Sequence, residues 1–177
     1  MRRYSLIVIT VICCLNLISC KQDDGITLTP ITDDFSAIVN ITSTSFLDED
    51  QRFASYAPLD ISINDTIEEN QDFIIEARLN KLSYEITNYN GDSQTTLTDA
   101  VIIIGGISIE IDDLVIQNNL NTENHIVDRY LLNNIAYNFE NSTSINTLIT
   151  GQLSDTSVSF DVIIRMNITV GIDDFDD

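Results

Sequence analysis

A chain with one histidine can assemble few of the common catalytic or metal sites, and His125 is the only one here. Zinc centres built on several imidazoles are therefore excluded. Any Ser-His-Asp site would have to use His125 as its base. No Gly-x-Ser-x-Gly elbow accompanies it, and Gly105-Gly106-Ile107-Ser108 does not fit that pattern. His125 is expected in a loop or at a helix start, without chemistry of its own. A glycine loop able to cradle phosphate is also lacking.

Acids are abundant instead, with 28 Asp and Glu. Among so many, chance pairs are expected, so a glycosidase-type carboxylate pair has no two residues to name. Calcium is the one cofactor the acids could take, because it asks for clustered hard oxygen donors. The candidates are Asp112 and Asp113, the run Asp48-Glu49-Asp50 and the terminal aspartates, and none follows the EF-hand pattern. Carbohydrate contact would call for aromatic platforms. Trp is absent, leaving Tyr56, Tyr84, Tyr89, Tyr130 and Tyr137. Tyr84 and Tyr130 are expected to face the core, whereas Tyr89, beside the Asn90-Gly91 turn, is the candidate ligand contact.

The thiols Cys13, Cys14 and Cys20 all lie near the start of the chain. Arg2 and Arg3 precede an apolar run, Leu6 to Leu15, followed by Leu17, Ile18 and the small Ser19. This is the order of a secretory signal, and it is shorter than the roughly 20 residues of a bilayer-spanning helix. Leu17, Ser19 and Cys20 resemble the lipobox of bacterial lipoproteins. The resemblance implies cleavage between Ser19 and Cys20 and a diacylglyceryl group on the Cys20 sulfur. Lys21-Gln22-Asp23-Asp24 is similar to the charged export signal behind the lipidated cysteine of Bacteroidota surface lipoproteins. Lys21, rather than Asp, fits sorting to the outer membrane. The likeness covers the leader alone; the remainder resembles no family. It implies a protein anchored to the outer membrane by lipid, facing the cell surface or, alternatively, the periplasm. Asp65-Thr66-Ile67 further resembles the O-glycosylation motif of Bacteroidota secreted proteins, which implies modification of Thr66, although helix capping explains the same residues.

The formal charge is −20, and losing Arg2 and Arg3 with the leader leaves six Lys and Arg against 28 acids, or −22. Nucleic acid is excluded, since its recognition needs a basic footprint. Lying flat on anionic headgroups is disfavoured as well. The expected partners are the membrane, through the lipid, and an unidentified protein or glycan.

These side chains need elements to hold them, and most of the chain has the two-residue period of half-buried strands. Phe35, Ala37, Val39 and Ile41 alternate, as do Leu59, Ile61 and Ile63 behind Pro58, and Leu82, Tyr84 and Ile86. Leu97 to Ile104 and Ile107 to Ile111 flank Gly105-Gly106 as a hairpin, and Leu114 to Leu120 suggests a further strand. Val158 to Val170 alternates most strictly, and its simplest partner is Ile145 to Leu153 through the Asp155-Thr156 turn. Two helices are expected, one capped by Asn64-Asp65-Thr66 and running to about Arg78, the other from about Asp128 to Glu140. The domain plan is 1–19 signal peptide, 20–34 lipidated cysteine and flexible tether, 35–172 folded domain, and 173–177 acidic tail. The fold class is mainly β, an antiparallel β-sandwich, Ig-like in the loose sense, with one or two short helices. A partly open barrel is the alternative. The function expected is a non-enzymatic binding or cell-envelope module on a lipid anchor. The alternatives are a carbohydrate-active enzyme with paired carboxylates and a calcium-dependent adhesion domain.

Overall fold

The strictest alternation in the sequence forms the centre of the fold. In the computed structural model, residues 28–42, 51–91, 94–117, 123–155 and 157–173 are described. Strand β9 (Ser159–Asp173) buries Phe160, Val162, Ile164, Met166, Ile168 and Val170, the residues of one pleat face. It lies between β1 (Leu28–Ile41) and β3 (Ile74–Asn90), antiparallel to both. A short strand, β7 (Asn124–Ile126), pairs with Leu82 to Tyr84 of β3 and completes a sheet of order β1-β9-β3-β7. The facing sheet runs β2 (Arg52–Asp60), β8 (Ser144–Leu153), β4 (Thr95–Ile104) and β5 (Ile107–Ile111), with β6 (Leu114–Ile116) also on β4. Pro58 falls on β2, an edge strand, where its missing N–H costs no ladder bond.

The result is the antiparallel β-sandwich that the alternation calls for. Apart from the local β4–β5–β6 stretch, the chain changes sheet from one strand to the next. That strand order is the double-sheet jelly-roll arrangement, and neither sheet closes into a barrel. Both inner faces contribute to one core; Phe53 of β2 meets Phe160 of β9 edge to face, ring centres 6.2 Å apart.

Several expectations are corrected. β9 does not pair with Ile145 to Leu153; that strand is β8, in the opposite sheet. β1 begins at Leu28, so residues 28–34 belong to the sheet rather than to a tether. The first helix, α1 (Asp65–Glu69), is a single turn followed by a 3₁₀ turn, Gln71–Phe73, and from Ile74 the chain is strand. Its cap is Asn64, whose side-chain oxygen accepts from the N–H groups of Thr66 and Ile67, while its amide donates to Asp33 of β1 at 2.8 Å. β2 ends at Asp60, so Ile61 is buried beyond it and Ile63 is exposed. β6 stops at Ile116. The second helix, α2 (Arg129–Asn138), occurs where its period places it, behind Asp128. Among the described residues no helix is long and apolar enough to cross a membrane.

Candidate functional site

Three of the five Lys and Arg residues described line one groove of this acidic molecule, and β3 shows how. Its pairing with β9 slips between Leu79 and Lys81, a bulge that leaves Asn80 out of register. Leu79 and Leu82 both reach the core, so Arg78, Asn80 and Lys81 are all left exposed. A bulge re-aims side chains in this way. β7 covers only three residues of β3, and the chain then turns into α2. The Asp128 carboxylate starts that helix by accepting from the N–H groups of Tyr130 (2.8 Å) and Leu131 (3.2 Å). Leu132, Ile135 and Ala136 bury its inner face.

Between β3, β7 and the first turn of α2 lies a groove of about 590 Å³. Arg78 and Lys81 line it from β3, His125 from β7, and Arg129 from α2, with Asn80 and Asn133 among them. Arg52, Arg78, Lys81, Arg129 and Arg165 are the Lys and Arg residues of the described chain, and three of these five share the groove with the sole histidine. Lys81 also borders a smaller hollow of about 320 Å³ with Arg165, Asp34 and Asn167.

These cations are not equivalent. Lys81 pairs with Glu123 at 3.2 Å, and His125 Nε2 lies 3.9 Å from the same carboxylate. Glu123 also accepts from the Ser83 hydroxyl at 2.5 Å. That hydroxyl, and then the Lys81 ammonium, hold the Glu123 carboxyl below its usual range. Arg165 pairs with Glu85 at 2.7 Å. Among the described residues no carboxylate pairs with Arg78 or Arg129. Side-chain bonds on the outer sheet face hold Asn80, which lines the groove: Asn80 donates to Asn167 (2.9 Å) and Thr169 (2.8 Å), and Asn167 donates to Asp34 (2.8 Å).

Val127, 82% exposed, gives the groove an apolar wall, and Tyr130 is 75% exposed on α2. Tyr130 was expected in the core, but on α2 it shares the outer face with Tyr137, opposite Leu132 and Ile135. Tyr84 is buried as expected, and burial, with the Asp112 charge behind it, raises its phenol above the ordinary range.

Tyr89 is half-buried and packs against the core beside Gly91, away from the groove. Asp112 and Asp113 are exposed between β5 and β6, and among the described residues no group of three or more His, Cys, Asp and Glu is arranged to hold a metal ion. Thr66 is exposed on α1. Ser19, Cys20, Asp48-Glu49-Asp50 and the tail beyond Asp173 lie outside the described residues. Asp33, Glu123 and Asp155 are all held below the carboxylate range, the opposite of what a general acid needs. Arg78, Lys81 and Arg129 were not singled out from sequence. Their scarcity was the available signal, since in so acidic a chain any meeting of cations is unusual.

No protein-family model and no curated protein matches the chain. Solved structures of similar shape include the capsid protein of BFDV, with TM-score 0.45 and 7% identity, over 80% of this chain and 99% of that one. A Macrobrachium rosenbergii nodavirus particle matches at 0.40 and 8%, over 89% of each chain. Desmodium yellow mottle tymovirus matches at 0.35 and 11%, over 82% and 83%. The overlap is too loose to carry anything about partners or activity.

Proposed function

We propose that the chain is a non-enzymatic binding module of the bacterial outer membrane, held by acyl chains on Cys20 and presenting the groove between β3, β7 and α2. The observation that carries this reading is Cys20 directly behind Ser19 and an apolar run headed by Arg2 and Arg3. Each buried methylene is worth about 0.8 kcal/mol, so one acyl chain binds reversibly whereas two or three hold durably. Because β1 begins at Leu28, residues 21–27 alone link anchor to sheet, a reach of at most about 25 Å. The sandwich then stays close to the bilayer, with an acidic surface that keeps it from settling on anionic headgroups.

Metabolic labelling with a palmitate analogue tests the anchor. Label is expected on the wild type and lost in Cys20→Ala, which should also leave the membrane fraction. An unlabelled wild type removes the proposal. Protease treatment of intact cells then separates surface from periplasmic display: degradation without lysis is expected.

A further inference from the structure

We infer that the groove binds a sugar acid, a hydroxylated ring carrying one carboxylate, free or at the end of a glycan. This rests on the binding-module reading but not on the lipid anchor. Arg78 and Arg129 line the same groove and have no carboxylate partner among the described residues, although the chain holds 28 acids. Lys81 and Arg165, by contrast, are already compensated by Glu123 and Glu85. An unpaired guanidinium presents a planar fork of donors that matches a carboxylate bidentately. The groove, at about 590 Å³, falls in the size range of small-molecule sites.

Its walls serve more than a bare anion. The Asn133 amide and the half-exposed His125 imidazole supply donors and acceptors for hydroxyl groups. Val127, exposed on the lining, offers an apolar face for the C–H side of a sugar ring. The exposed Val127 has no use for inorganic phosphate or sulfate. A long polyanion fits poorly, because charges beyond the groove would meet a molecule of formal charge −20. A single acidic residue satisfies both the local attraction and the global repulsion.

His125, as the only histidine, gives one set of imidazole signals from inside the groove. The full chain, extracted in detergent, is titrated with galacturonate, galactose and inorganic phosphate while those signals are followed by NMR. Galacturonate is expected to shift them saturably, with galactose and phosphate much weaker. Arg78→Ala with Arg129→Ala should weaken galacturonate about tenfold or more. Arg78→Lys with Arg129→Lys, which keeps charge but not the fork, should fall between. No saturable shift with galacturonate, an equal response to galactose, a stronger response to phosphate, or unchanged affinity in the folded double variants would each overturn the assignment. Cys20→Ala should bind as the wild type does, so failure of the anchor and failure of the site are distinguishable.

Discussion

Glu123 and Asp155 show how single carboxylates are tuned on this surface without being buried. Glu123 is held down by Ser83 and Lys81, and so occupies Lys81 while leaving the two arginines of the groove free. Asp155 is held down by the backbone N–H of Ser157 first and by its hydroxyl second, at 2.8 and 2.7 Å. Ser157→Ala should therefore raise the Asp155 pKa only part of the way to the ordinary value, because the larger cause survives. Carboxyl-carbon NMR titration reads this directly, and full recovery would show that the backbone bond had been lost too. A carboxyl whose folded pKa lies below its unfolded one stabilises the fold fully above the unfolded value, about 3.9 for Asp. That contribution is lost as the pH falls through the folded value. The acid limb of the stability curve below about pH 4 should thus be shallower in Ser157→Ala than in the wild type. Sequence could not foresee such pairings as Lys81 with Glu123 or Asn64 with Asp33, because each joins residues that only the sheet brings together.

Faces were legible in the elements, whereas neighbours were not. A two-residue period tells which side chains of Val158 to Val170 point inward, but it carries no information on which strand lies alongside. The short Asp155-Thr156 link made β8 the obvious partner of β9; in a jelly roll a short link instead crosses between sheets. The helix expected up to Arg78 failed for a related reason: pairing of Ile74 to Arg78 with β9 outweighs a helix-start signal that is strong for one turn only. Tyr130 was recoverable, since a 3.6-residue period aligned on Leu132 and Ile135 puts it outside with Tyr137. The groove was not, being built from a bulge, a three-residue strand and a helix start far apart in sequence. The β4–β5 turn was read correctly from Gly105-Gly106, and both glycines have positive φ, 55° and 84°. Alanine at either position should cost about 1 kcal/mol or more through left-handed backbone. Gly105→Ala should cost more, because its Cβ would lie 2.6 Å from Asn138 Nδ2, whereas at Gly106 no described residue beyond its chain neighbours comes within 4 Å. Urea denaturation of both variants, and of Gly105→Ala with Asn138→Ala, checks this; the second change should remove the difference.

For the whole molecule, charge sets the largest untested energy. Lys81 pairs with Glu123 and Arg165 with Glu85, few pairs against a formal charge of −20. Repulsion among the remaining acids opposes the compact state. Salt weakens that repulsion, since the Debye length falls from about 30 Å at 0.01 M to about 8 Å at 0.15 M. The melting temperature should therefore rise over this range of NaCl and level off at higher salt. A protein held mainly by surface pairs would respond in the opposite direction, so a falling melting temperature would overturn the charge argument. The same titration addresses calcium. Screening depends on valence and ionic strength, not on ion identity, so CaCl2 and MgCl2 at equal ionic strength should raise the melting temperature equally. A built calcium site, by contrast, stabilises the folded state by mass action in proportion to occupancy, and calcium alone would then stand out, with EDTA reversing the gain.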